Sequence, residues 1–486
     1  MPLKPLPIGA GINLDVDDST LHDGSSVAYY NCYMDRGQAI RTIPGLTLNA
    51  DIGVGPGVEV FCEFIRGHNV LMIVAAGRVW AKTSALGPVT ELTGAVLESG
   101  YPPVFTDDGT DIFFAANGPI NKYGATITQL AGNAPDKVTG LAYIGGYLQA
   151  IGDDSTGVVD GDTFYSDDKV NGYALWEVYN NESNPDGVQA LVVAYEQVYN
   201  IGERTLEVTY VDGTVPFSVN KNAAQHFGTP SPHSVAFDGE SIYYISQVTE
   251  SRKVVKLTGG GAPEIISFPI DLPIEQFERV DDARGFIVAF KGQNFYVLDF
   301  PTANTIIDEQ YYPSVTFAYH IQTKMWLIFA KWDGDSGQWQ SYRGCSFTYA
   351  EPWGLQFIGG RDGKLYTLGT DAVIDYDAEP VFTHRWRDNG KKIWSNPRTI
   401  SLGKVGDYRR PSDSVQCGSY VYRQHEIGFS DLSDAGAIFR ALVKSGHINH
   451  QVDVTKVANF YRYNVKRGTG EFVINTISED VTYLRR

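Results

Sequence analysis

Short apolar runs, each preceded by a two-residue turn, recur along the first three quarters of this chain. Arg66-Gly67 precedes a run at 70–75, Asp108-Gly109 one at 112–116, Gly145-Gly146 one at 147–151 and Glu196-Gln197 one at 198–201. Asp238-Gly239 before 242–246, Lys291-Gly292 before 295–299 and Asp362-Gly363 before 365–368 continue the series. Runs this short, rich in β-branched and aromatic residues and bounded by turn formers, read as strands. Taken between residues 67, 109, 146, 197, 239, 292 and 363, the spacings are 42, 37, 51, 42, 53 and 71. A period of roughly 40–50 residues with about four strands in each predicts a β-propeller, because one blade cannot bury its faces without neighbours. The fold class is therefore all-β, a β-propeller of six or seven blades. Spacing fits either number, and no Trp-Asp signature recurs at matching positions. The last interval has room for an inserted pair of strands, expected at 311–339.

The unit is plainest in the middle of the chain. Glu182-Ser183-Asn184-Pro185-Asp186-Gly187 joins a proline that presets φ to an Asp-Gly turn. Residues 188–194 then form a mostly apolar strand, Gly202 breaks the next, and Thr205-Leu206-Glu207-Val208-Thr209 alternates as a strand with one wet face does. Residues 1–50 are turn-rich and read as an N-terminal arm packing on the body, with 51–376 as the propeller. Beyond Tyr376 the period stops. Strands expected at 398–402, 419–423, 460–465 and 471–477 predict a β-sandwich-like C-terminal domain over 377–486, in which 435–443 fits either a short helix or a strand.

Composition agrees with this reading: 51 Gly, 23 Pro and 29 Tyr among 486 residues suit pleated strands joined by many tight turns. Charge adds more. The formal net charge is −18, yet residues 377–486 carry 17 Lys plus Arg against 12 Asp plus Glu, leaving 22 against 45 in the first 376. A body at −23 beside a terminal part at +5 is not a reader of nucleic-acid sequence, which needs clustered cations on phosphates. It is still able to enclose DNA without holding it. Met1-Pro2-Leu3-Lys4-Pro5-Leu6-Pro7 lacks the features of a signal peptide, and the longest apolar runs, such as 70–76, are far too short to span a membrane. A protein made in the cytoplasm, with no membrane insertion, is expected. Cys32, Cys62, Cys345 and Cys417 lack the spacing of a zinc site or a disulfide scaffold and read as buried thiols.

Candidate chemistry is sparse. Asp333-Gly334-Asp335-Ser336-Gly337 contains the Gly-Asp-Ser-Gly that surrounds a protease nucleophile, but no histidine region accompanies it, and a hairpin loop needs the same residues. The same stretch, and Asp15 with Asp17 and Asp18, offers oxygens to calcium without the closing bidentate acid. His447 and His450 have a spacing loose enough for a metal but no third ligand. Tyr311, Tyr312, Trp326, Trp332 and Trp339 suit a carbohydrate platform or a blade core. No catalytic, cofactor or metal residue is assigned, and no enzyme activity is expected.

Several short motifs, taken in order, do carry a resemblance. They are the Pro-Leu-Pro start, Tyr30-Asn31-Cys32-Tyr33 leading to Arg41-Thr42-Ile43-Pro44-Gly45-Leu46, the Glu182 to Gly187 turn, and Ile201-Gly202-Glu203-Arg204-Thr205-Leu206-Glu207. With the length and the strand-rich basic C-terminus, the chain resembles the tail-hub proteins of short-tailed bacteriophages, also called packaged-DNA stabilisation proteins or tail nozzles. The resemblance implies a structural virion protein of the tail, a homo-oligomer and in the family's manner a hexamer, set below the portal and adaptor rings. It implies a role extending the DNA channel, retaining packaged DNA and anchoring spikes or fibres, with a needle or gate closing the channel until ejection. Glu203, Arg204 and Glu207 are then candidates for contacts within or between subunits. The alternatives are a glycan-binding or glycan-cleaving propeller and a receptor-binding tail fibre.

Overall fold

Alternate side chains of the strand Val70–Ala75 enter two different cores. Leu71, Ile73 and Ala75 pack with Val60, Phe357 and Leu365, whereas Val70, Met72 and Val74 pack with Ile112 and Phe114. Successive side chains of a strand point to opposite faces, so a strand apolar on both faces lies between two other sheets. This computed structural model describes residues 40–369 except 131, 154–161, 168–172, 181–185, 212–215, 221–223, 249–250, 308–309 and 334–337. Outside that span it describes 4–5, 8–15 and 24–35 and, beyond 380, the backbone of the strands.

Among these residues the sandwiching of strands repeats around seven four-stranded blades. Blade 1 runs through Val60–Ile65, Val70–Ala75, Arg78–Lys82 and Thr90–Leu92. Blade 2 runs through Val104–Asp107, Ile112–Ala115, Asn121–Tyr123 and Ile127–Gln129. Blade 3 takes Lys137–Ile144, Tyr147–Asp153, Asp162–Asp167 and Glu177–Asn180, and blade 4 takes Val188–Ala194, Gln197–Gly202, Leu206–Val211 and Phe217–Val219. Blade 5 takes Ala236–Phe237, Ser241–Val248, Ser251–Thr258 and Glu264–Ile265. Blade 6 takes Arg284–Phe290, Gln293–Phe300, Val315–His320 and Met325–Asp333. The innermost elements touch in cyclic order, blade 7 against blade 1 included.

Blade 7 draws on both ends of the propeller. Gly344–Ala350, Leu355–Gly360 and Lys364–Leu368 are joined by Leu46–Asp51, which pairs antiparallel with Lys364–Leu368 as the outermost strand. At the inner edge the Cys62 amide donates to Ser346 Oγ and the Phe64 amide to Thr348 Oγ1, each at 3.0 Å. The seam leaves no room for a side chain at Gly359, where a Cβ would lie 1.8 Å from the Val60 carbonyl oxygen.

The turn pattern locates most blades. Asp108 and Asp238 cap their hairpins alike: Asp108 Oδ1 accepts the amides of Thr110 and Asp111, and Asp238 Oδ1 those of Glu240 and Ser241. Three readings shift. The blade 4 hairpin turns on Tyr195 and Glu196, at φ 53° and 61°, one residue before the expected Glu196-Gln197. Asp362-Gly363 forms the second hairpin of blade 7, whose first turns through Glu351–Trp353 and Gly354. The inserted pair is Thr305–Ile307 with Gln310–Tyr312, because most of the aromatic stretch expected to be inserted supplies the third and fourth strands of blade 6.

The N-terminal segment straps blade 6. Gly24–Tyr30 meets the outer strand of blade 6 in parallel at Tyr30 and Ile328, and pairs on its other edge with Val381–His384, which in turn pairs with Phe460–Arg467. Asn31, at φ 53°, acts as a side-chain stand-in for a strand: its Nδ2 donates to the Ala330 carbonyl at 2.7 Å and its Oδ1 accepts the Ala330 amide at 2.9 Å. Tyr30 stacks on Trp339 at 4.8 Å, and Tyr33 meets Phe290, Phe295 and His320 edge-on. Further strands follow at Ser395–Leu402, Ser414–Tyr422, Phe439–Leu442 and Ile477–Tyr483.

Because Asn31 is buried and satisfies both groups of Ala330, Asn31→Ala orphans an amide and a carbonyl at once. A loss of about 2–4 kcal/mol is expected, read as a lower urea midpoint with an unchanged m-value; an unaltered midpoint would show that the peg is dispensable.

Candidate functional site: the axial cavity

The innermost strands enclose a cavity of about 340 Å³ on the propeller axis. Each blade contributes, through Phe61 to Glu63 in blade 1, Pro102 to Phe105 in blade 2, and equivalent positions in the others. Its polar groups are Glu63, Thr139, Gln189, His233, Arg284 and Ser346, with the thiols of Cys62 and Cys345. The inner strands supply them because each presents its inner edge to the axis, so that consecutive residues line the cavity.

One end of the cavity is bound by a quartet of charges joining blades 1, 6 and 7. Glu59 pairs with Arg284 and, at 3.1 Å, with Arg361; Arg361 also pairs with Asp299. Asp299 is wholly buried and accepts Thr316 Oγ1 at 2.7 Å, while Thr316 Oγ1 in turn accepts the Tyr342 amide at 2.9 Å. Burial pushes the Asp299 carboxyl up from the usual carboxylate range, against the pull of Arg361 and Thr316. Arg284 also lies over the Phe61 ring, 5.1 Å from its centroid. Two cations and two anions leave this cluster neutral.

Glu63 stands apart. Its side chain is exposed in the lumen, and desolvation by the protein around it raises its carboxyl to about 7. Burial lowers the His233 imidazole to about 4, with Arg284 adding to the effect. Cys62 and Cys345 are pushed up to about 12 by burial, which makes them inert thiols.

The residues singled out in the sequence lie elsewhere. Tyr312, Trp326 and Trp339 are buried, Trp326 Nε1 donating to the Ile266 carbonyl at 2.6 Å, so they do not present a platform; Tyr311 is exposed. Asp333 lies where Met325–Asp333 turns toward its partner Gln338–Ser341, and accepts Gln340 Nε2 at 3.1 Å; residues 334–337 are outside the described residues. Asp15 is exposed and its amide donates to Asn13 Oδ1, while Asp17, Asp18 and His447 lie outside the described residues, as does the side chain of His450. Among the described residues no three His, Cys, Asp or Glu side chains gather as a metal site would need. Cys32, Cys62 and Cys345 are buried thiols; the side chain of Cys417 is not described. Glu203 and Arg204 are exposed at a hairpin tip and Glu207 is buried within blade 4. That tip is tied by Asp186, whose carboxylate accepts the amides of Arg204 and Thr205 at 2.7 and 2.9 Å; Glu182 to Pro185 lie outside the described residues.

A family model described as Bacteriophage P22 Gp10, beta-propeller, matches residues 39–372. The chain belongs to this family. It is thus a phage structural protein, and the matched span covers all seven blades, including the Leu46–Asp51 strand that completes the ring. No curated protein matches the sequence. Among solved structures, the extracellular domain of BT4673 from B. thetaiotaomicron is similar at 10% identity and a TM-score of 0.43, over 73% of this chain and 43% of that one, so this chain spans under half of its length. The N-terminal domain of Nup159 is similar at 10% identity and a TM-score of 0.41, over 71% of this chain and 99% of that one. Likenesses this distant carry no argument about function. Among the described residues no helix is long and apolar enough to cross a membrane, which leaves strand-built spans unaddressed.

Glu63, His233, Arg284 and the quartet belong to no motif of this family member's sequence, since they meet only across blades. A signal existed for Glu63, a lone acid inside the apolar run Phe61-Cys62-Glu63-Phe64-Ile65.

Two predictions follow from these charges. Asp299→Ala should cost about 3–5 kcal/mol, because it strips Arg361 of its buried partner; chemical denaturation with the midpoint unmoved would show that Glu59 alone suffices. For Glu63, the folded value of about 7 lies above the ordinary 4.5, so the folded chain keeps a proton that the unfolded chain has lost between those pH values, and stability falls as pH rises through the window. Glu63→Gln should match the parent at pH 4.5 and exceed it in urea midpoint at pH 8; equal midpoints at both would contradict the shift.

Proposed function

We propose that this phage structural protein is a tail hub, or nozzle, of a short-tailed virion: a ring of copies, six in the simplest arrangement, below the portal and adaptor. In this reading it prolongs the DNA channel, helps retain packaged DNA, carries spikes or fibres, and is closed by a needle or gate before ejection. Its role is architectural and not enzymatic. The observation that carries it is membership of the P22 Gp10 propeller family across the closed ring of blades.

Size and charge support the reading. A cavity of about 340 Å³ cannot pass a duplex, whose major groove alone is about 12 Å wide and 8.5 Å deep, so DNA runs between copies and not along a propeller axis. A first part at −23 repels phosphate, which suits a wall past which a genome must slide. Contacts between copies need apolar surface. Phe268 and Leu272, on and beside the short helix Asp271–Gln276, and Ile306 and Tyr311, on the adjoining inserted hairpin, are all exposed. The burial of Tyr312, Trp326 and Trp339 disfavours the glycan reading.

Sedimentation velocity tests the reading. The full chain is expected to form a discrete large oligomer, alone or on adding purified adaptor ring, and Ile306→Glu to weaken that assembly while leaving the far-UV spectrum and thermal midpoint unchanged. A chain that stays monomeric and ignores the adaptor ring would overturn the hub.

A further inference from the structure

The axial cavity holds one carboxyl group without a counter-ion. Arg284 is matched by Glu59 and Arg361 by Asp299, and His233 is neutral at pH 7. Among the described residues neither a hydrogen bond nor an ion pair reaches the Glu63 carboxylate, although a solute in the lumen can touch it. Part of the wall is apolar: Phe105, Phe286 and Phe347 line the same cavity with Leu141 and Val192, beside the polar Thr139, Gln189 and Ser346.

A carboxylate without a counter-ion, in a chamber lined in part by phenyl rings and aliphatic side chains, is the complement of an amine. An ammonium group makes charge-assisted hydrogen bonds to the carboxylate, ring faces attract the cation, and a short alkyl chain buries itself against leucine and valine. An anion would meet Glu63 with like charge, and a bare divalent metal would find a single carboxylate where it needs several oxygens. We propose that the axial cavity binds an alkylammonium group, with Glu63 as its counter-ion and the phenylalanine-lined wall around its chain. At about 340 Å³ the chamber is at the small end of ligand pockets, which run from about 300 Å³ upward. It suits an amine of a few carbons or the side chain of a lysine. This site lies inside each propeller and stands or falls independently of ring assembly.

Titration calorimetry of the full chain with n-butylammonium, and with lysine blocked at its amino and carboxyl ends, tests the site, n-butanol serving as the neutral isostere. Saturable binding of the amine, at least tenfold weaker for Glu63→Gln and absent for n-butanol, is expected. If only the ionised carboxylate binds, the apparent Kd should tighten roughly tenfold between pH 6 and pH 8, as the competent fraction rises about an axis at pH 7. Binding of the blocked lysine as well marks the ligand as a polypeptide side chain, and binding of butylammonium alone marks it as a free amine. No heat at millimolar amine, equal affinity in Glu63→Gln, or equal affinity for n-butanol would each overturn the proposal. Glu63→Gln removes a desolvated charge and so is expected to fold, with its urea melt as the control.

Discussion

The approach of the Val60 carbonyl to Gly359 is the constraint on which the ring depends. Six seams join blades that follow one another in sequence, but the seventh joins blade 7 to blade 1, and Leu46–Asp51 must reach Lys364–Leu368 across the whole propeller. Such a pairing is the most costly in loop-closure entropy and brings no reward until the intervening blades are in place. Its contacts are correspondingly tight. The hydroxyls of Ser346 and Thr348 accept amides of blade 1, a glycine removes the clash with Val60, and Phe357, Leu365 and Leu71 fill the space behind.

The same seam gathers the charges. Glu59 precedes the inner strand of blade 1, Arg361 follows the second strand of blade 7, and Arg284 and Asp299 come from blade 6, so the quartet ties three blades where the chain closes on itself. Between blades 3 and 4 the contact is aromatic and polar: Tyr147 and Tyr165 meet Phe217 edge-on, Tyr179 stacks on it, and Gln149, Asn200 and Thr209 are buried. The arm continues the closure outward: the Asn31 peg fixes it to blade 6 before Leu46–Asp51 completes blade 7, so one segment spans both.

Much of this was legible in the sequence, for local reasons. Two-residue turns with Asp or Gly report their own backbone geometry, and six of the seven mark a blade's first hairpin to within a residue. Blade 4 was displaced by one because Tyr195 and Glu196 hold positive φ without being Gly or Asn. Blade 7 was displaced by a hairpin because its first turn is a 3₁₀ turn ending in Gly354. The insertion was misplaced because buried strands of blade 6, such as Val315–His320, are as apolar and aromatic as an insert would be. Pairings between distant strands leave no local mark, so neither the closure strand nor the strap by Gly24–Tyr30 was visible. The cavity was hidden for the same reason: Glu63, His233 and Arg284 come from three blades and share only the axis.

In a tail hub of the kind proposed, DNA runs outside the propellers, in a lumen formed between copies. Electron microscopy of the purified protein assembled with its adaptor ring tests this most directly. It should show a closed ring of propellers, each standing off the symmetry axis, around a central pore wide enough for duplex DNA and walled mainly by acidic surface. Isolated propellers, or a pore walled by lysine and arginine, would contradict it.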